Sequence, residues 1–486
     1  MKKCLLILVL FPVIVFAQNP PDTLWTKTFG GDQDEIARSI QVTNDGGYII
    51  AGTMGPYNAT DIILVKTDSD GNIVWEQTYN NQLKDKGYSV IQTLDGGFIV
   101  AGSTYPDEQN NYDIWIIKTD QNGNVIWEST YGGIDNEHAM SVIQLDDGSF
   151  VIVGNTTSYG SGCYDMWLFK IDLDGNMIWD YTFGGVANEG AISLQQTFDG
   201  GFVIVGWAEI GGSDIDVLLV KTDQNGVIIW ENTFDITDVE RGNSVLQTED
   251  YGYIIAGYTE IAETSNADAL LIKVDQDGEL EWYNTYGGSE DEILWDVLLT
   301  ENSEYIMVGS TGSSGAGNDD VWVIKTDECG ELIWDITFGG NEEDVAYSIQ
   351  KINEEGFIIG GFSEVNSADN KDIFLIRLGS EAGLNDYLMP NVNEQNHLYQ
   401  NYPNPFNPTT TISFSIQNEC EVEISIYNIK GQKVKQFISS RLSAGNHSIV
   451  WNGDDESGNA VSSGVYLYEL TVNGKSEIVN KCLLMK

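Results

Sequence analysis

The chain has 486 residues, more than one ordinary domain holds, and its 42% hydrophobic content is ample for packed cores. Its 23 Lys and Arg stand against 74 Asp and Glu, a formal net charge of −51. Such a surface repels nucleic acid and anionic lipid, and no nucleic-acid partner is expected.

Residues 1–17 open with "MKK", continue in the apolar run "CLLILVLFPVIVFA" and end on Val15-Phe16-Ala17, a small-residue cleavage site. This pattern predicts a secretory signal peptide, since the run is too short for a membrane span. No later segment is apolar enough to cross a bilayer, so an exported protein is expected, secreted or held at the cell surface. Cys163, Cys329, Cys420 and Cys482 remain after cleavage and form no CxxC pair, which argues against a zinc cluster. Export permits disulfides, and Cys420–Cys482 is the pairing considered.

From residue 18 to 379 the chain repeats itself. A tryptophan recurs at Trp25, Trp75, Trp127, Trp179, Trp230, Trp282 and Trp334, spaced 50 to 52 residues apart. Around it four segments return, typified by "ARSIQVT", "GGYIIAG", "DIILVKTD" and "NIVWEQTY". Each is short, rich in β-branched and aromatic residues and bounded by Gly, Asp or Asn, which predicts strands, here A to D. The second is apolar throughout, so both its faces are covered. Four-stranded sheets packed between two neighbours are the blades of a β-propeller.

Position 37 of strand A and its equivalents are Ala37, Gly87, Ala139, Ala191, Gly242, Leu294 and Ala346, mostly small residues that suit a crowded inner strand. The tryptophans are expected to be buried in the wide outer gaps of strand D. The region opens with a lone strand D at 23–31 and closes with A, B and C but no D. The first strand should therefore complete the last blade, closing seven blades and removing two sheet edges.

Antiparallel order places the A–B and C–D turns on one face and the B–C and D–A connections on the other. The A–B turns are nearly constant and the B–C loops vary, so a glycan or protein ligand is expected on the B–C/D–A face. On that face a carboxylate stands four residues before the strand-A serine, which Asp296 replaces once: Glu35, Asp85, Glu137, Glu189, Glu240, Glu292 and Asp344. These are the candidate site residues, a ring near one mouth of the axial channel. Two readings stand: a cation site, calcium being the candidate ion, or a structural role in which each carboxylate accepts backbone N–H bonds. Two further sets recur seven times, Asp61, Asp113, Asp165, Asp216, Asp268, Asp320 and Asp372, and Lys66, Lys118, Lys170, Lys221, Lys273, Lys325 and Arg377. A catalytic residue is usually unique, so these read as blade architecture.

The C–D stretch "TDSDGNIVW" starts like a calcium loop. Its copies put Leu173 and Cys329 among the would-be ligands and close with no bidentate glutamate. A hairpin explains every position, with Asp opening the turn and Gly taking positive φ.

His138, His397 and His447 are scattered and read as surface residues. No G-x-S-x-G, HExxH or phosphate-loop motif is present, and no cofactor is expected. The turn "D-x-x-G-x-x-x-W-E" resembles the tryptophan repeat of quinoprotein propellers and of the related outer-membrane assembly scaffold. No adjacent-cysteine pair accompanies it, and no quinone is carried over.

Residues 380–400 read as a polar linker, and 401–486 as a small Ig-like antiparallel β-sandwich. Here "YPNPFNP", "IYNIKGQKV", the "AG…WNG" segment, "SGVYLYEL" and a basic end follow in order. From Tyr402 to Lys486 the stretch resembles the type A C-terminal sorting domain of the bacterial type IX secretion system. The resemblance implies that residues 401–486 engage that machinery and direct passage across the outer membrane. The expectation is an all-β, monomeric, exported, non-catalytic binding or scaffold protein. The alternatives are a polysaccharide-active enzyme and a structural surface-layer component.

Overall fold

The strands predicted in the repeat region pair in sequence order. In a computed structural model, blade 1 consists of strand A Glu35–Val42, B Tyr48–Met54, C Asp61–Thr67 and D Ile73–Tyr79, all antiparallel. The described residues are 20–380 without 57–58, 82, 106–110, 212–213, 261–265, 353–354 and 365–369, then 397–398, then 410–484 without 417–419, 429, 431, 443–444, 457 and 474. The expected signal peptide, most of the linker and the "YPNPFNP" motif lie outside them. Two compact units result, residues 1–381 and 382–486.

The first unit is a seven-bladed β-propeller. Seven four-stranded sheets repeat the A-B-C-D order, and a single parallel bridge, Ile215–Val239, links the sheets of blades 4 and 5. Blade 7 closes as the sequence phase predicts. Its strand D is the N-terminal Thr23–Phe29, which pairs with strand C at Lys371–Leu378, Trp25 opposite Arg377 and Phe29 opposite Ile373. The cluster between blades 7 and 1, with Ala37, Ile40 and Tyr48 against Ile352, Ile358 and Leu375, seals the ring. An equivalent apolar cluster fills each other junction. This explains the unbroken apolar strands B, which face a neighbour on both sides.

Strand A is innermost, each copy running beside the strand A of the next blade. Ser39 Oγ accepts the Val90 N–H at 3.2 Å, and Ser89 Oγ that of Val142 at 3.3 Å, so serines stitch blade to blade. Every strand A carries a β-bulge just before this serine. The Ala37 position is fully buried, and a Cβ on Gly242 would fall 2.5 Å from Val205, so most blades admit only a small residue there, while blade 6 accommodates a fully buried Leu294.

The C–D turns are hairpins. Asp68 Oδ1 accepts the Asn72 N–H at 2.7 Å, and Gly71 adopts φ +73°. The strand-D tryptophans differ from expectation. Trp25, Trp75, Trp127, Trp179, Trp230 and Trp282 are only half-buried, and Trp334 alone is buried. The outer edge of each blade is open to solvent, so one indole face stays wet.

The lysine set is architectural. Lys66, Lys118, Lys170, Lys221 and Lys273 each pair with the aspartate of their own A–B turn, Asp45, Asp95, Asp147, Asp199 and Asp250, at 2.9–3.0 Å. Lys325 pairs with Glu304 and Arg377 with Glu355 instead. The Lys66 ammonium also donates to the Thr67 carbonyl at 2.7 Å, fixing turn to strand.

The second unit is an Ig-like β-sandwich. One sheet orders His397–Leu398, Thr410–Ile416 and Gly445–Trp451, and the other orders Lys433–Leu442, Cys420–Asn428, Gly464–Val472 and Lys475–Leu484. Phe414, Ile424, Trp451 and Tyr468 form its buried core. Cys420 and Cys482 are not joined to each other, which corrects the disulfide considered above. Cys482 lies opposite Tyr466, which lies opposite Asn428 at the far end of the strand that Cys420 begins. Eight residues of strand, about 26 Å, separate the two levels, far beyond disulfide reach. Burial pushes the Cys482 thiol up to about 12. Among the described residues no helix is long and apolar enough to cross a membrane.

Candidate functional site

The seven strand-A carboxylates are buried, not presented at a channel mouth. Glu35, Asp85, Glu137, Glu189, Glu240, Glu292 and Asp344 are each 9% exposed or less. They share the buried side of strand A with the Ala37 position and turn into the junction between blades. Glu137 shows the pattern: Oε2 accepts the Gly133 N–H at 2.8 Å, while Oε1 accepts Thr156 Oγ1 at 2.8 Å and the Ser158 N–H at 3.1 Å. Glu292 repeats it with Gly288, Thr311 and Ser313. Each carboxylate thus holds its own D–A connection, the structural role weighed above.

The structure also joins two sets that the sequence kept apart. The aspartate opening strand C of one blade faces the strand-A carboxylate of the next. A Cβ placed on Gly132 would lie 2.1 Å from Asp113 Oδ1 and 2.7 Å from Glu137 Oε2. The same holds for Gly287 with Asp268 and Glu292, and for Gly339 with Asp320 and Asp344. Glycine at these positions keeps the gap between the acids open. Burial, and in several cases the facing carboxylate, raises at least one acid at every junction: Glu35 and Asp372, then Asp85, Asp113, Glu189, Asp216, Asp268 and Asp344. Several carboxylate oxygens there have no partner, among them Asp113 Oδ1, Asp165 Oδ1, Asp216 Oδ1 and Glu240 Oε2. A carboxylate pair without a counter-charge favours a proton or a cation between its members.

The junctions repeat, but the axis does not. Strand-A side chains alternate, so the residues flanking position 37 face the channel. There the blades differ: Arg38 follows that position on blade 1, Trp295 on blade 6 and Tyr347 on blade 7, and Lys86 precedes it on blade 2, His138 on blade 3 and Arg241 on blade 5. Arg38 lies 4.1 Å from the Tyr347 ring centre and Arg241 4.6 Å from that of Trp207. His138 packs 4.8 Å from Tyr112, and Trp295 5.1 Å from Tyr347. Among the described residues Arg38, Lys86 and Arg241 form no ion pair, although acids outnumber bases more than threefold in this chain. Burial, with Arg38 and Lys84 close by, lowers the Lys86 ammonium; burial and Lys86 lower His138 to about 4. His138 is therefore not the surface residue expected, and its Nδ1 is buried without a partner.

These axial residues were missed because sequence reading followed what the repeats share. The usable signal was the opposite, basic and aromatic residues at positions where the repeats disagree. They sit toward the D–A end of strand A, the face on which a ligand was expected.

A seven-bladed propeller joined in sequence to an Ig-like sandwich is the class that fold and site define. Residues 404–476 match the model of the FlgD Ig-like domain. No curated protein matches the chain. Among solved structures, the chain is similar to PorZ, a surface component of the type IX secretion system of Porphyromonas gingivalis, at 13% identity and TM-score 0.41. That likeness covers 91% of this chain and 58% of PorZ, so the chain spans little more than half of that protein's length. It is also similar to the WD40 domain of Neurospora crassa Pan2 (10% identity, TM-score 0.47, covering 76% of this chain and all of that one). A puromycin hydrolase aligns at 12% identity and TM-score 0.46, covering 83% of this chain and 62% of that one. At these values the likenesses carry nothing about activity.

Proposed function

We propose that this chain is an exported, non-catalytic binding propeller that takes an acidic glycan at the axial mouth. The observation behind the reading is the gathering of Arg38, Lys86 and Arg241 with Tyr112, Trp207, Trp295 and Tyr347 on or beside the innermost strands. A guanidinium recognises a carboxylate or sulfate bidentately, and the rings beside it offer flat apolar faces for a sugar. Repetition argues for a binder over an enzyme, since the buried acids recur at every junction and none is set apart for a substrate. Delivery would fall to residues 401–486, through the type IX machinery their motifs resemble.

Binding of the full chain to a polyuronate and to a neutral polysaccharide tests the ligand. The paired change Arg38→Ala with Lys86→Ala should weaken polyuronate binding about tenfold or more, and binding should fall steeply with salt. Equal binding of the neutral polymer, or release of reducing ends from either, would overturn the reading. For delivery, a chain lacking residues 401–486 should remain in the periplasm of a type IX host.

A further inference from the structure

We propose that Asp216, Asp235 and Glu240 form a binding site for one divalent cation of calcium's class at the junction of blades 4 and 5. The site is separate from the axial cluster and does not depend on it. Each of the three carboxylates offers an oxygen, and these oxygens lie within 4.8 Å of one another.

Two features make this junction a site, the first unique to it and the second shared with the junction of blades 3 and 4, where Asp165 Oδ1 and Glu189 Oε2 are likewise unpartnered. First, the residue that is Gly30, Gly132, Gly184, Gly287 or Gly339 at five junctions, and Asn80 at a sixth, is Asp235 here. At Gly132, Gly184, Gly287 and Gly339, a Cβ at this position would stand between the strand-C aspartate and the strand-A carboxylate. Asp235 therefore brings a third carboxylate to the gap that the other junctions leave open, and it is exposed, giving an ion a way in.

Second, the D–A connection frees an oxygen. In Glu137 and Glu292 the Oε2 atom is occupied by a glycine N–H. Around Glu240 the Thr237 N–H at 2.6 Å, Thr237 Oγ1 at 2.5 Å and Thr259 Oγ1 at 3.0 Å all donate to Oε1. Glu240 Oε2 is left without a partner, and so is Asp216 Oδ1. Glu240 is 0% and Asp216 4% exposed, so neither orphaned oxygen can turn to solvent. Two buried, unsatisfied acceptors beside a third acid form an arrangement that a cation resolves and a hydrogen-bond network here does not.

The donor set selects the ion. Carboxylate oxygen alone, without His or Cys, suits a hard cation, and backbone carbonyls and water complete the six to eight oxygens calcium prefers.

Isothermal titration calorimetry of the full chain, freed of metal by a chelator, with calcium chloride alone tests this. One equivalent should bind with a Kd of about 0.1–1 mM, the range of extracellular calcium modules. Asp235→Gly installs the residue most other junctions carry, so the fold is kept, as its circular dichroism and melting without calcium will verify. Its Kd should be at least about tenfold higher, and calcium should raise its melting temperature less than that of the parent. A parent that binds nothing up to about 10 mM calcium, well above that range, would overturn the proposal. So would an Asp235→Gly chain that binds calcium as tightly as the parent.

Discussion

Gly71, in the C–D turn of blade 1, lies directly against the indole of Trp25 on strand D of blade 7: a Cβ at Gly71 would fall 2.6 Å from the ring. The relationship recurs from blade to blade, Gly123 against Trp75, Gly226 against Trp179 and Gly330 against Trp282. The glycine that makes the hairpin and the tryptophan that marks the repeat are thus one contact across each outer junction. Gly71 has φ +73° and Gly46, in the A–B turn, φ +82° with nothing within 4 Å. Gly46→Ala should cost about 1–2 kcal/mol through its backbone alone. Gly71→Ala should cost roughly 1–3 kcal/mol more, because the tryptophan must shift as well. Equal losses in denaturant unfolding would show that the indole seat contributes nothing.

Removing residues 22–29 deletes strand D of blade 7 and uncovers the edge from Lys371 to Leu378. The shortened chain should melt at lower temperature and form large assemblies on size-exclusion chromatography, as exposed edges do. An unchanged melting profile and a monomer peak would contradict closure.

Asp296 replaces the ring serine once. Its carboxylate accepts Ser244 Oγ at 2.9 Å and the N–H groups of Ile349 at 3.0 Å and Val297 at 2.9 Å. Burial holds it up at about 6 despite these bonds. A folded-state pKa above the ordinary carboxylate value means the folded chain binds the extra proton. That contribution is complete below about pH 4 and is lost as pH rises through 6. Asp296→Ser should be more stable than the parent at pH 7.5, by on the order of 1 kcal/mol given residual solvent access, and the gap should narrow toward pH 5. Parallel melting curves for the two chains across that window would refute this.

Lys325 and Glu304 pair at 2.6 Å with side chains 1% and 15% exposed, whereas Lys170 and Asp147 pair at 3.0 Å with the aspartate 60% exposed. Lys325→Ala leaves a largely buried carboxylate uncompensated and should cost about 3 kcal/mol. Lys170→Ala strands only an exposed aspartate and should cost about 1 kcal/mol or less. Denaturant midpoints of the two variants check the ranking.

Alkylation of the native chain should modify Cys163 and Cys329, which are exposed, and spare Cys420 and Cys482 until unfolding. Peptide mass spectrometry without reductant should find no Cys420–Cys482 link.

By itself the sequence determined the blades, their number and the closing strand. These follow from local rules: β-branched runs, turn residues and a repeat whose phase leaves one strand over. It also singled out the carboxylates and lysines, because side chains that serve every blade return at every period. Only the tertiary structure decided what they meet. Glu137 faces Asp113 because consecutive blades pack strand A against the previous strand C, a juxtaposition no period encodes. Likewise Arg38, Lys86, His138 and Arg241 share one axis only after the ring closes, with the bulge after position 37 fixing which side of strand A looks inward. Repetition builds the frame and is visible along the chain. The features that break it converge from several blades and become a site only in three dimensions.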